Sequence, residues 1–366
     1  MPPENVVPDG VKTRHSRRRF VITALVGVIV VVAVFALLLP QASSYQEALK
    51  ELADMPVVWI LAVVVAGLAN IAVYPFTVLV AIPRLGYWRG FSERQAGFLV
   101  SNAIPGGGAI AVGTQYSMLS RYGVPSALSA AAVSADAVWT YLLTLGMPAV
   151  AVTLLVVEGR STAGMATIAI IGLAVVLVSV ILIVIVLRSE SGARRVGRLA
   201  ERLIGPVFHR LHRETPDFVG SLVEFRENAH GLVAQKWKQL TVTNVAAQIM
   251  PLFVLFFALV GLDAVGEQLS IIEIFAAYSV ALLLVSIPVT PGGLGTVDAA
   301  LIGLLVAFGA PGSVAVAADL LWRLIWFLPQ IIAGLSAMAA YLISRRRPVP
   351  ESKLWRGGET APAADY

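Results

Sequence analysis

The chain has 366 residues, of which 58% are hydrophobic and only 13% are charged. Soluble globular proteins carry about a quarter charged residues. Together with a mean hydropathy of +0.82, this composition excludes a water-soluble fold and predicts an all-α polytopic membrane protein. The absence of Cys excludes disulfides, thiolate catalysis and Cys-ligated metals. The net charge of +5 is too small, and its carriers are too scattered, to indicate binding to nucleic acid.

Six apolar runs are long enough for a helix that crosses a bilayer, which needs about 20 residues. The first run follows three Arg residues but is too long for the core of a signal peptide, so we expect an uncleaved span. Pro75 and Pro148 are expected to bend the second and third spans. The six predicted spans cover residues 20–40, 56–82, 125–157, 164–187, 240–262 and 312–344.

Two further apolar runs, residues 96–119 and 269–308, are each interrupted by Pro and clustered Gly, which end helices. The interruptions are Pro105-Gly106-Gly107-Gly108 and Pro291-Gly292-Gly293-Leu294-Gly295. We expect two re-entrant helical hairpins, each entering and leaving the membrane on one side. Alternatively, the second run forms two thin full crossings. Non-helical backbone at this depth must be surrounded by protein or line a water-filled cavity.

The basic residues are distributed unevenly across this predicted topology. With the N-terminus inside, 24 of the 27 Lys and Arg residues fall on inner segments, Arg94 among them. Lys50 and Arg160 fall outside, and Arg323 lies within a span. Because basic residues favour the cytoplasmic side, we expect both termini in the cytoplasm and the chain in the inner membrane of a bacterium.

The predicted topology divides the chain into a basic N-terminus, a first span with an outer segment, a first membrane repeat, a cytoplasmic linker, a second membrane repeat and a disordered basic tail. The linker has the pattern of a basic amphipathic helix, so we expect residues 188–213 to bind anionic lipids of the inner leaflet. An ordinary solvated helix is the alternative. The six segments are residues 1–19, 20–55, 56–187, 188–239, 240–344 and 345–366.

The two interrupted runs share a spacing that indicates duplication. In each, a Gly and a Pro follow the first Pro of the turn by 18 and 20 residues, and the two sets are offset by 186 residues. The matched residues are Pro105, Gly106, Gly107, Gly123 and Pro125, and then Pro291, Gly292, Gly293, Gly309 and Pro311. The topology makes the repeats inverted, a plan typical of transporters with a midplane site. A static anchor that uses these turns only to reverse the chain is the alternative.

The second hairpin also resembles a known family. Thr290-Pro291-Gly292-Gly293-Leu294-Gly295-Thr296-Val297-Asp298, Gly309 and Leu320-Leu321-Trp322-Arg323 are similar to the signature of the lysylphosphatidylglycerol synthase transmembrane (flippase-like) family. The similarity covers residues 56–344. It implies a polytopic bacterial membrane protein. The best-understood members move aminoacylated phosphatidylglycerol between leaflets, and others accompany polyprenyl-linked glycan pathways. We expect no soluble aminoacyltransferase domain here.

The resemblance extends unevenly to the turns. The family commonly has an acidic residue after the second turn, which Asp298 matches. It often has Arg and Glu after the first turn. This chain instead has Gly107, Gly108, Ala109 and Ile110 at those positions.

Charged residues inside a membrane usually pair or face a cavity. Arg323 is the leading candidate, because a guanidinium can clamp a phosphate and stays protonated when buried. A structural ion pair with Asp319, four residues earlier, is the alternative. Asp298 is expected to meet a cationic head group, to couple protons or simply to favour a helix N-terminus. Asp136 is expected to couple protons, to pair with Arg121 or to pack against the other repeat.

Backbone N–H groups at the glycine turns can bind an anionic head group, so Gly106, Gly107, Gly292 and Gly293 are candidate contacts, with tight turning as the alternative. Five polar residues within apolar runs are predicted mainly to join helices, and the first two are kept as candidate substrate contacts. They are Asn102, Gln115, Asn244, Gln248 and Gln330. Since no nucleotide-binding loop or metal-ligand cluster is evident, we expect no catalytic residues, no cofactor and no enzymatic activity.

These features predict a flippase-like protein that moves a phospholipid or polyprenyl-linked lipid head group between leaflets. Its expected partners are membrane lipids with a phosphate-bearing head group, and the sequence allows a homo-oligomer. One alternative is a non-transporting partner of a polyprenyl-phosphate glycan enzyme or lipid-modifying enzyme. Another is a transporter of small solutes. A lateral opening between helices favours lipid, whereas a cavity closed to lipid favours a small solute.

Overall fold

The computed structural model describes residues 42–103, 107–159, 163–210, 217–266, 268–285 and 290–344. This part of the chain is helical, and its only bridge pairing joins Val265 and Leu269. The predicted first span, the N-terminal segment and the tail lie outside the described residues. The helices are α1 (Ala42–Asp54), α2 (Val57–Val73), α3 (Phe76–Ala81), α4 (Tyr87–Ala103), α5 (Gly108–Arg121), α6 (Ser126–Val157), α7 (Ala163–Arg188), α8 (Glu190–Arg210), α9 (Phe218–Gly261), α10 (Ile271–Val285), α11 (Thr296–Phe308), α12 (Gly312–Trp326) and α13 (Leu328–Ser344).

Four stretches are long and apolar enough to cross a membrane, and they correspond to the predicted second, third, fifth and sixth spans. They are Val57–Ala81, Ser126–Val157, Ala229–Gly261 and Gly312–Ile343. Helix α7, the predicted fourth span, contributes a shorter apolar stretch, Gly172–Arg188. The chain is therefore a multi-pass helical membrane protein, as its composition predicted.

The two interrupted runs form two pairs of short helices. Helix α4 packs on α5, and α10 packs on α11. Helix α4 has 17 residues and α11 has 13, which correspond to lengths of about 25 Å and about 20 Å. Both are shorter than the roughly 30 Å of a hydrocarbon core. Paired short helices suit the predicted re-entrant hairpins, while their depth in a bilayer stays a prediction.

Proline breaks two of the spans but not others. Helix α2 ends at Val73 and α3 begins after Pro75, as predicted. The last span is divided at Phe327, between α12 and α13, two residues before Pro329. Helices α6 and α9 contain Pro148 and Pro251 without a break. Helix α9 runs 44 residues from the linker into the fifth span, so the predicted boundary between residues 239 and 240 falls inside one helix.

The predicted duplication agrees with the backbone at Gly123 and Gly309, which follow the ends of α5 and α11. Both glycines have positive φ, 81° and 122°. In each case the Gly N–H bonds a carbonyl three residues earlier at 3.0 Å, and the next N–H bonds a carbonyl five residues earlier at 3.0 Å. This pair of hydrogen bonds is the Schellman ending. The two glycines, which are 186 residues apart, therefore end their helices in the same way.

Packing between the two halves is reciprocal. The first arm of the first hairpin, α4, packs on α13, which belongs to the span after the second hairpin. The first arm of the second hairpin, α10, packs on α6, the span after the first hairpin. The spans that precede the hairpins, α2 and α9, pack on each other. Such an exchange of equivalent contacts is what a two-fold relation between repeats produces.

Candidate functional site

The two glycine turns lie next to each other. Gly292 has a φ of +61°, and a Cβ there would lie 2.8 Å from the Phe327 ring and 3.6 Å from the carbonyl oxygen of Asn102. Asn102 lies in the last turn of α4, the helix that leads into the first turn. Because L residues rarely adopt this φ and the space is filled, only glycine fits without strain. The second turn therefore packs against the end of the first hairpin's leading arm.

Arg323 on α12 holds the second turn in place. Its Nε donates to Asp298 Oδ1 at 2.5 Å, while Nη1 and Nη2 donate to the carbonyls of Gly292 and Gly293 at 3.2 and 3.5 Å. The other oxygen of Asp298 accepts the N–H of Gly295 at 2.5 Å. Asp298 thus satisfies the start of α11 and pairs with Arg323 at once. Pairing with Asp319 was the alternative expected for Arg323. The carboxylate that Arg323 hydrogen-bonds in the structure is that of Asp298.

Aromatic rings surround the Arg323 guanidinium. Its Cζ lies 5.2 Å from the ring centroid of Trp322 and 5.9 Å from those of Trp326 and Phe327. The side chain is only 3% exposed. Aromatic faces attract cations, and the attraction strengthens when water is excluded. The guanidinium is therefore held by a carboxylate, two carbonyls and three rings.

A second buried ion pair lies in the first half. Arg94 on α4 donates from Nη1 to Asp136 Oδ2 at 2.8 Å, and its Nη2 lies 2.6 Å from Asp136 Oδ1. The Tyr74 ring lies 5.5 Å from the Arg94 guanidinium carbon. Arg94, which the sequence placed on an inner segment, is 4% exposed and lies inside the helix bundle. Asp136 thus holds Arg94 through both of its oxygens; pairing with Arg121 was one of three alternatives expected for it.

A cavity of about 440 Å³ lies where the two turns meet, within the roughly 300–1,000 Å³ usual for ligand sites. Among the described residues that line it, none carries a charge. Nine are amides or hydroxyls: Asn70, Ser101, Asn102, Thr140, Thr144, Asn244, Gln248, Thr290 and Gln330. Four are aromatic: Tyr74, Phe98, Tyr141 and Trp326. The glycines Gly107, Gly108 and Gly292 bring backbone to the wall. The cavity therefore offers neutral hydrogen-bonding groups and ring faces.

One amide in this wall is left without a partner. Asn70 is 2% exposed, and its Nδ2 donates no hydrogen bond within the described part of the chain. By contrast, Gln248 donates to Thr144 at 3.3 Å across the cavity wall. Because buried polar groups are nearly always satisfied, a free donor at a cavity wall is a position where a ligand acceptor can bind.

The cavity reaches the protein surface near the first turn. Its lining residues Gly108, Ala109 and Tyr141 are exposed. The exposed neighbours Ile110 on α5 and Leu145 on α6 are apolar. In a membrane protein, an apolar rim faces acyl chains at no desolvation cost. The opening is thus bordered by side chains suited to lipid.

The predicted site residues fall into two groups. Asn102, Gly107 and Gly292 line the cavity. The others lie behind its wall: Gly293, Asp298 and Arg323 in the second-turn cluster, Asp319 nearby on α12, Asp136 in the Arg94 pair, and Gln115 against Gly97 between α4 and α5. Gly106 lies outside the described residues. No group of three or more His, Asp or Glu side chains is arranged for a metal in the described ranges.

Sequence reasoning missed much of the wall. Asn244, Gln248 and Gln330 were assigned to helix contacts, yet all three line the cavity. Asn70 and Tyr74 were not singled out at all. A buried amide in an otherwise apolar span is the signal that identifies Asn70, since an amide is costly in lipid. Tyr74 carries no such signal, because tyrosine occurs commonly in spans.

Comparison with known proteins agrees with this architecture. Residues 22–334 match the family described as the lysylphosphatidylglycerol synthase TM region. A UPF0104 membrane protein of Methanocaldococcus jannaschii is 35% identical over 99 residues. That match covers 27% of this chain and 28% of the relative. Because the family match spans most of the chain, this protein belongs to the lysylphosphatidylglycerol synthase transmembrane family.

Proposed function

We propose that this protein is a flippase-like transporter that moves lipid head groups between the leaflets of a bacterial inner membrane. The observation that carries the proposal is the cavity between the two turns, which is polar inside and bordered by apolar residues where it opens. A lipid that crosses a bilayer needs a polar path for its head group while its tails stay in hydrocarbon. A site at the interface of two repeats is typical of transporters.

The apolar rim favours a lipid over a small solute. A soluble solute needs a polar entrance, whereas Ile110, Val112 and Leu145 expose apolar side chains beside the opening. Gly107 of the first turn and Gly292 of the second line the cavity, so small movements of either hairpin change its shape. In the inverted arrangement that we propose, the hairpins enter from opposite faces and open the cavity to each leaflet in turn.

The chemistry of the wall favours one kind of head group. Asn, Gln, Ser and Thr side chains exchange hydrogen bonds with hydroxyl groups, and ring faces stack on sugars. With no charged residue among the described lining residues, an aminoacyl cation would find no counter-ion there. A phosphate can bind backbone N–H groups at the start of α5. Of the two predicted classes, this supports a polyprenyl-linked or other hydroxyl-rich head group.

The linker helix α8 supports the proposed orientation of the chain, with both termini on the cytoplasmic side of the membrane. In α8, Leu199 and Leu203 are exposed one turn apart, beside a face rich in Arg. Such a helix binds anionic membrane surfaces through apolar insertion and charge attraction. We propose that α8 lies on the cytoplasmic leaflet, with both termini on the same side.

Reconstitution into liposomes tests the proposal. Vesicles contain a fluorescent glycolipid, a phosphatidylglycerol or a lysylated phosphatidylglycerol, and an impermeant quencher reports movement between leaflets. We expect glycolipid movement above empty vesicles, reduced by Asn70→Leu. The matched control Gln239→Leu changes an exposed amide on α9 and should have no effect. If no lipid moves, the non-transporting alternative replaces the proposal.

A further inference from the structure

Each half of the protein buries one arginine together with two carboxyl groups. In the first half Arg94 lies with Asp136 and Glu93. In the second half Arg323 lies with Asp298, and Asp319 is a close neighbour of both. Glu93 is 0% exposed and Asp319 is 3% exposed. The same one-to-two ratio of charges therefore occurs on both sides of the cavity.

In each cluster one carboxylate pairs with the arginine, and the second carboxyl group forms no hydrogen bond with it. Asp136 and Asp298 hold the guanidinium groups at 2.5 to 2.8 Å. The nearest Glu93 oxygen to Arg94 Nε is 3.7 Å away, too far for a hydrogen bond. Neither Glu93 oxygen has a hydrogen-bond partner of normal geometry among the described residues, although the Gln115 side chain is adjacent.

Asp319 is the second carboxyl of the other cluster, where its side chain also hydrogen-bonds with that of Asp298. Its Oδ1 is buried without a hydrogen-bond partner in the part of the chain described. The charged groups around it are Asp298 on α11 and Arg323 on its own helix. The packed helix α1 presents Glu51, whose carboxylate accepts from Ser313 further along α12.

The cation that acts on Glu93 is Arg94, while Arg89, four residues earlier on α4, lies over the Tyr122 ring. Arg94 is shared with Asp136 on α6, and the remaining titratable neighbours are Tyr74 and Tyr122. One guanidinium cannot neutralise two carboxylates, and an unpaired buried carboxylate is strongly disfavoured. The leftover carboxyl is neutral only when it holds a proton.

We propose that Glu93 and Asp319 are proton-binding sites that couple head-group movement to a proton gradient, an inference that rests on the proposed transport function. Loss of the proton turns the carboxylic acid into a carboxylate, and a water molecule takes up the proton. The new carboxylate then competes with Asp136 or Asp298 for the arginine. Each arginine touches the cavity wall: Arg323 holds the Gly292 carbonyl, and Arg94 lies against the Tyr74 ring.

Proton binding thereby changes the contacts of the second turn and of Tyr74, two parts of the cavity wall. When Arg323 is drawn toward Asp319, its bonds to the carbonyls of the second turn weaken. When Arg94 is drawn toward Glu93, its contact with Tyr74 changes. The two sites lie in different repeats, and we propose that the hairpins of these repeats enter from opposite faces of the membrane. Each site can therefore respond to the proton concentration on one side.

Infrared spectroscopy of the purified full-length protein tests proton binding without relying on transport. Buried protonated carboxyls absorb apart from carboxylates in the C=O stretching region, and the band falls as pH rises. We expect Glu93→Gln and Asp319→Asn each to remove part of this band, and the double variant to remove both parts. Glu227→Gln, which changes an exposed acid on α9, should leave the band unchanged. A band unaffected by either variant overturns the proposal.

Transport in liposomes tests the coupling. An imposed proton gradient should speed glycolipid movement by the wild type, while Glu93→Gln and Asp319→Asn should move lipid at a rate that no longer depends on the gradient. Stimulation by a sodium gradient alone overturns the proton assignment. If the infrared band behaves as expected but no lipid moves, the proton sites stand and the transport function fails. If lipid moves with no response to the gradient, the coupling fails and the transport function stands.

Discussion

Replacing Arg323 by Met removes the group that joins the second turn to α12. The variant loses one hydrogen bond to a carboxylate and two longer bonds to the carbonyls of Gly292 and Gly293. A bond between charged groups contributes about 1.5–3 kcal/mol, and an ordinary bond contributes about 0.5–1.5 kcal/mol. Removing one partner of a buried pair typically costs about 3–5 kcal/mol. We therefore expect Arg323→Met to lower the free energy of unfolding by about 3–5 kcal/mol.

Unfolding by a denaturing detergent, followed by tryptophan fluorescence, measures this loss. Arg323→Lys keeps the charge but not the forked geometry, so it should fall between wild type and Arg323→Met. Adding Asp298→Leu to Arg323→Met removes the orphaned carboxylate and should recover part of the stability.

If Arg323→Met unfolds within about 0.5 kcal/mol of wild type, the range of ordinary surface substitutions, then Arg323 does not stabilise the second turn. If the variant is equally stable yet moves no lipid, Arg323 binds the head group, as its residue type first suggested.

Three further variants test the turn, the cavity and the linker. Gly292→Ala places a Cβ near the Phe327 ring at a φ of +61°, and it should destabilise the protein by about 1–3 kcal/mol in the same unfolding assay. Asn70→Leu removes a buried amide whose Nδ2 has no partner among the described residues, so stability should stay equal or rise while lipid movement in liposomes falls. In the wild type, we expect the amides of α8 to exchange more slowly with solvent in anionic nanodiscs than in zwitterionic ones. Changing Leu199 and Leu203 to Ser should abolish this difference.

Matched controls separate these effects from general damage. Gly303→Ala lies within α11, where an added Cβ meets no atom within 4 Å, and it should leave stability unchanged or slightly higher. A destabilised Asn70→Leu protein means that its amide has a structural partner. Equal amide exchange of wild-type α8 in both kinds of nanodisc means that this helix is solvated.

The positions of the spans and of the turns follow from local features. Apolar length predicted the four long spans, and Pro75 predicted the break between α2 and α3. The spacing of Gly123 and Gly309 predicted a repeated element, and the backbone shows the same helix ending at both. These predictions held because hydropathy and backbone φ depend on a few neighbouring residues.

The candidate site was harder to predict. The i, i+4 rule for one helix suggested Asp319 as the partner of Arg323, but the second turn brings Asp298 to the guanidinium. Arg94 was counted with an inner segment because it precedes an apolar run, and the tertiary structure buries it beside Asp136 of α6. Asn70 and Gln248 looked like separate polar residues in separate spans.

The amino-acid sequence by itself determined the class of protein, the approximate spans, the two glycine turns and their shared spacing. Each of these depends on interactions along a short length of chain. The tertiary structure decided which carboxylates the two arginines bind, which carboxyls are left over and which amides form one wall. Those outcomes depend on distances between residues far apart in sequence, and such distances are set only when the two halves pack together.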